Sequence, residues 1–119
     1  VVPDHLQGQS RVDVLNGQTT LSGNNVFIQW NRSDGHPRPG EGGVNPAMST
    51  PWRSIVSADR WKLNLSVQDQ CELYDLNADP YENLNLFDEP EQRGRVQDMT
   101  DRIRVWQIQT GDRTPLPEI

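Results

Sequence analysis

Cys71 is the single thiol of the chain and the first residue to test for nucleophilic chemistry. A reactive cysteine needs a neighbouring cation or a helix N-terminus to lower its pKa. Here Glu72 follows it, inside a segment patterned as a strand, and a carboxylate acts in the opposite direction. The residues favour a buried structural cysteine, the common fate of free thiols. His36 stands beside Asp34 and Arg38. A histidine near carboxylates can act as a base or a metal ligand. The other histidine, His5, is not at helical or hairpin spacing from it, so His36 reads as a solvated loop residue. Asp75, Asp79, Glu82 and Asp88 lack the spacing of a calcium loop and read as turn and cap residues. Walker, GxGxxG and GxSxG patterns are absent. The chain therefore carries no self-contained catalytic constellation, and no metal site is expected in it.

Four tryptophans remain. Trp61 and Trp106 fall on core patterns, whereas Trp30 and Trp52 flank a Gly/Pro-rich stretch at its two ends. They either pack on each other to close that loop or line a pocket.

The elements that must position these residues follow from periodicity. Val26 to Trp30 is rich in β-branched and aromatic residues after a Gly23-Asn24-Asn25 turn, and predicts a strand. Residues 31–51 hold four glycines and four prolines, enough to forbid a helix, so they form one long loop, a length usually tied to function or disorder. A second strand is expected over Trp52 to Ala58. In the next segment Trp61, Leu63, Leu65 and Val67 alternate with Lys62, Asn64 and Ser66, which predicts a half-buried antiparallel strand with one wet face. Cys71 to Leu76 returns as a fourth strand, and Asn77-Ala78-Asp79-Pro80 turns the chain. Asp88, with Pro90 and Glu91 behind it, reads as the N-cap of a helix over 88–110. Val96, Met99, Ile103 and Trp106 form its apolar stripe, worth roughly 6–12 kcal/mol on burial before entropy. Gly111 stops it. The stripe is expected to dock on Trp61, Leu63 and Leu65. The fold class is thus α+β: a small antiparallel sheet of about four strands packed against a C-terminal α-helix.

Composition agrees with a thin architecture. The 119 residues are 33% hydrophobic without glycine, below the ~45–50% of ordinary domains, a figure that counts glycine. Asp and Glu number 17 against 11 Lys and Arg, a net charge of −6 that argues against a nucleic-acid surface. No apolar run approaches the ~20 residues of a membrane span. One cysteine excludes an internal disulfide. The chain begins Val1-Val2-Pro3, which suggests a piece of something longer.

The run from Glu72 to Leu86 resembles the C-terminal signature of the sulfatase family, E-L-Y-D-L-x-x-D-P-x-E-x-x-N-L. Every specified position is met: Glu72, Leu73, Tyr74, Asp75, Leu76, Asp79, Pro80, Glu82, Asn85 and Leu86. Trp52-Arg53-Ser54-Ile55 through Arg60-Trp61-Lys62-Leu63 is similar to the family's R-S-I-R-T-x-x-W-K-L hairpin. Gly8 through Gly17 is similar to its G-x-S-L-x-P-L-L-x-G, and Trp106 with Thr110-Gly111-Asp112 to its closing W-x-x-x-T-G-D. Together these cover nearly the whole chain except 31–51. Val56 stands where the hairpin has Arg, Ser57 where it has Thr, and Asp13 where the link has Pro.

The resemblance, to arylsulfatases and N-sulphoglucosamine sulphohydrolase-like proteins, implies a non-catalytic C-terminal domain over 1–119, with 1–25 as the link from an absent catalytic domain. It implies that calcium and a formylglycine made from C/S-x-P-S-R belong to that absent domain. Cys71, followed by Glu72-Leu73-Tyr74, is not that motif, so this chain alone is not expected to hydrolyse a sulfate ester. Its implied partners are its own N-terminal catalytic domain and a sulfated substrate, and its implied location is periplasmic or secreted. His36, Arg38, Trp52 and Arg53 are the candidates for shaping the rim of the substrate cleft, through Arg–sulfate pairing and stacking on a sugar ring. A surface made to meet the large domain is expected around Val1 to Leu21 and on the outer face of the first strand, prone to self-association when bare. Two other readings stand beside this one: a stand-alone carbohydrate- or protein-binding module, and the tail of a phosphodiesterase of the alkaline phosphatase superfamily.

Overall fold

The computed structural model describes residues 10–31 and 50–119. A one-turn helix α1 (Val12–Leu15) precedes four strands, β1 (Val26–Trp30), β2 (Trp52–Val56), β3 (Trp61–Leu65) and β4 (Glu72–Asp75), and a long helix α2 (Arg93–Thr110). The strands form one antiparallel sheet in the order β1-β2-β3-β4. Sequence neighbours thus pair with sequence neighbours, as a simple meander requires.

Period two then decides what lies on each face. Phe27, Ile55, Leu63 and Leu73 fall in register across all four strands and point to the same side. With Leu65 they meet Val96, Met99 and Ile103 of α2 to make the buried core. The expected apolar stripe is the one that docks. Its last member, Trp106, is half-buried and stacks on Phe27 with ring centroids 5.4 Å apart and nearly parallel planes. Trp61 is also half-buried; the Arg95 guanidinium lies 4.2 Å over its ring while pairing with Asp59 at 2.7 Å.

Two local expectations differ from the structure. The helix does not run from residue 88. Glu89 is extended (φ −71°, ψ 123°), Pro90–Gln92 make a single 3-10 turn, and α2 begins at Arg93 with no side-chain cap. A proline disfavours helical geometry in the residue before it, so Pro90 holds Glu89 out of the helix and Asp88 cannot cap. The second difference is the wet face of β3. Asn64 is only 9% exposed and Ser66 only 3%. The chain beyond β4 folds back so that Glu82 reaches Lys62, with its oxygens 2.7 and 2.9 Å from Nζ; within the sheet, Glu72 of β4 accepts from Asn64 Nδ2 at 2.8 Å. Lys62 and Asn64 on this face are thus paired with side chains of the chain itself.

The end of α2 matches its expected signal. Gly111 adopts φ +71° and the Asp112 N–H returns to the Gln107 carbonyl at 2.9 Å. A Cβ at Gly111 would meet open space, so Gly111→Ala isolates backbone strain. It should cost about 1–2 kcal/mol, read as a lowered thermal midpoint.

Candidate functional site

The Glu72–Leu86 motif builds a wrap around the edge of the sheet. Asp75 Oδ1 accepts from the Asn77 N–H at 2.9 Å, turning the chain out of β4. Asp79 accepts from the Asn83 and Leu84 N–H groups at 2.6 and 2.8 Å, and these bonds, that from Leu84 foremost, hold its carboxyl below the usual range. Glu82 sits at φ +56° and anchors on Lys62. Asn85 then closes the wrap: its Oδ1 accepts from the Leu73 and Phe87 N–H groups, both at 3.0 Å, and its Nδ2 donates to the Cys71 carbonyl at 3.0 Å. Leu86 N–H bonds the Leu73 carbonyl at 2.8 Å. Leu73 and Tyr74 are buried, and Leu76 N–H reaches the Arg60 carbonyl at 2.9 Å. Pro80 lies in the turn. The role of these residues is architectural.

Trp52 and Arg53, adjacent on β2, point to opposite faces. Arg53 turns inward and is 2% exposed. Its Nε and Nη2 grip the two Asp112 oxygens at 2.6 and 2.8 Å, a bidentate pair. Nη1 donates to the Trp52 and Trp30 carbonyls at 2.7 and 3.2 Å, and Nη2 also reaches Asn31 Oδ1 at 2.9 Å and the Thr114 hydroxyl. The Arg53 guanidinium, against the opposing effect of desolvation, holds the Asp112 carboxyl far below the ordinary carboxylate range; a bond from Gln107 Nε2 at 2.9 Å assists. Arg53 thereby ties the ends of β1 and β2 to the segment after α2. Its guanidinium is occupied within the chain, so it acts on any neighbouring rim by positioning it.

Trp52 turns outward. Opposite it in register stands Trp30, and Ser54, Asn64 and Glu72 form the next row across β2, β3 and β4. With Asp69 and Gln70 of the β3–β4 turn, Trp52 and this row line an open depression of about 380 Å³. The alternation that placed Trp52 and Ser54 on one side of β2, and Asn64 on the polar side of β3, was the signal available for this depression.

His36 and Arg38 lie outside the described residues. Cys71 is half-buried just before β4, its Sγ donating to the Ser66 carbonyl at 3.5 Å, and burial pushes its thiol pKa up. That environment is the reverse of an activated nucleophile. Among the described residues no three His, Cys, Asp or Glu side chains come together as a metal would need. Formylglycine fits no residue either, since no Cys or Ser of the chain opens a C/S-x-P-S-R run and Cys71 immediately precedes the Glu72–Leu86 motif. Among the described residues no helix is long and apolar enough to cross a membrane.

No family model matches the chain, and no curated protein matches it in sequence. Solved structures do match. A provisionally assigned sulfatase from Bacteroides thetaiotaomicron VPI-5482 superposes with a TM-score of 0.75 at 19% identity, covering 100% of this chain and 24% of its own. A protein solved with its substrate D-glucosamine-2-N,6-O-disulfate gives 0.72 at 24% identity, over 97% of this chain and 22% of its own. A 2-O GAG sulfatase gives 0.75 at 19% identity, over 100% of this chain and 24% of its own. The chain thus shares with these proteins a fold that makes up about a quarter of each.

Proposed function

We propose that this chain is the non-catalytic C-terminal domain of a sulfatase-family sulfuric ester hydrolase, covering part of the parent's catalytic domain and shaping the rim of its substrate cleft. The observation that carries the reading is the match of the entire chain to about a quarter of each sulfatase, joined to a complete Glu72–Leu86 motif. In this reading the nucleophile and calcium reside in the parent's other domain. Val12, Leu15, Leu21, Val26 and Ile28 are all exposed, Leu15 by 84%, and they lie on the link and on the outer face of β1. Such apolar exposure suits a surface covered by a larger neighbour. Trp52 stands at the border of that face, close in sequence to the stretch that carries His36 and Arg38. It is the described rim candidate, with Arg53 holding the strand ends beneath it.

The test is to recover the coding sequence upstream and express the joined protein. A C/S-x-P-S-R motif and sulfate release from sulfated sugars are expected. In that protein Trp52→Ala, His36→Ala or Arg38→Ala should raise KM several-fold with little change in kcat, as loss of uniform binding does. An upstream sequence without the motif, or cleavage of phosphate diesters instead of sulfate esters, overturns the reading.

A further inference from the structure

We propose that the depression beside Trp52 is a binding subsite for an unsulfated amino-sugar ring. The proposal rests on the rim reading for its place in a substrate path, and on the geometry of the depression for its chemistry.

The lining chemistry selects the ligand class. One indole, one hydroxyl, two carboxamides and two carboxylates face the space, and no aliphatic side chain is among them. A purely apolar ligand would strand those polar groups, whereas a pyranose offers an apolar C–H face to an indole and hydroxyls to amides and carboxylates. The polar row is set before any ligand arrives. Ser54, Asn64 and Glu72 are fixed in register on three strands, and Asn64, nearly fully buried, already donates to Glu72 at 2.8 Å. Asp69 Oδ1 is held by the Gln70 N–H at 2.8 Å. Groups held this way lose little entropy on binding.

Charge then sorts among sugars. Asp69 and Glu72 contribute two carboxylates, and no described lining residue is a cation. The one lysine on this face, Lys62, is held by Glu82 instead. A sulfate ester placed here meets like charge without a counter-ion, which disfavours it. An ammonium gains from the carboxylates and from the Trp52 face together. The subsite therefore suits the part of a glycan that bears a free amine and no sulfate.

A nitrogen-15 NMR titration of the full 119-residue chain tests this. The probes are glucosamine, N-acetylglucosamine and glucosamine 6-sulfate. Glucosamine should move the Trp52 indole and the Asn64 and Gln70 side-chain amide signals. It should bind about fivefold more tightly than N-acetylglucosamine, the scale of one or two exposed charge contacts, and glucosamine 6-sulfate should bind more weakly than glucosamine. The Asp69→Asn, Glu72→Gln pair should erase the preference for the amine, and Trp52→Ala should remove binding. If Trp52→Ala loses its dispersed spectrum, the paired carboxylate variant alone decides. Absence of shifts at these signals, equal affinity for all three sugars, or tighter binding of the sulfated one overturns the proposal. A failed titration leaves the upstream-motif test of the parent's identity untouched, and a missing motif leaves a measured sugar site standing.

Discussion

Replacing Arg53 with methionine should lower the unfolding free energy by about 3–5 kcal/mol, the penalty for removing one partner of a buried ion pair. Asp112, 12% exposed, would keep its charge and lose its two shortest donors. The Trp52 and Trp30 carbonyls and Asn31 would each lose one hydrogen bond as well. The readout is the urea midpoint at unchanged slope. Arg53→Lys should recover little, because a point ammonium cannot span both carboxylate oxygens and two carbonyls. Adding Asp112→Asn to Arg53→Met should restore part of the loss by removing the stranded charge. If Arg53→Met left the midpoint in place, the guanidinium would not be the tie described and a direct substrate role would regain ground.

The same pair fixes a pH dependence. Asp112 has its folded pKa depressed below its unfolded value, so the native state binds this proton less readily than the unfolded chain does. Its contribution is complete above the ordinary carboxylate range and is lost as pH falls from about 4 downward. Asp79 and Asp59, also depressed, act in the same direction, but Asp59 is exposed and Asp79 only half-buried, so solvent screens both. The acid limb of the stability profile should therefore flatten most in an Arg53→Met, Asp112→Asn protein, where the group responsible is gone.

Much of this fold is legible in residue periodicity. β1 ends where the sequence predicts, β2 stops two residues short of Ala58, and the Val96, Met99 and Ile103 stripe meets the sheet as its spacing requires. What periodicity could not supply is the return of residues 76–86 beside the sheet, a long-range placement that brings Glu82 onto Lys62. The site shows a different gap. Once Trp52 to Ala58 is read as a strand, Trp52 and Arg53 must face opposite ways, so the two could not share one rim surface. That conclusion was available from the sequence. The partner that receives Arg53 was not, because Asp112 lies 59 residues away and reads only as a helix-terminal residue.

Asn85 carries the second large effect. Removing its side chain with Asn85→Ala should cost about 2–4 kcal/mol, since two N–H groups and one carbonyl lose their partner and only some can turn to water. The three groups belong to Leu73, Phe87 and Cys71, on both sides of the wrap, so the loss also opens the outer edge of β4. Asn85→Asp offers a finer test. It keeps an acceptor for the Leu73 and Phe87 N–H groups and loses only the donation to the Cys71 carbonyl, so about 1–2 kcal/mol should go. Hydrogen exchange would locate the change: the Leu73 and Phe87 amides should speed up strongly in Asn85→Ala and weakly in Asn85→Asp, with the β2–β3 amides following only global stability. An uncovered β4 edge is also a template for another chain, so Asn85→Ala should sediment as larger species at concentrations where the parent chain does not. Unchanged exchange at Leu73 in Asn85→Ala would mean that the Leu86 bond alone holds the edge. In that case the asparagine of the motif would need another explanation.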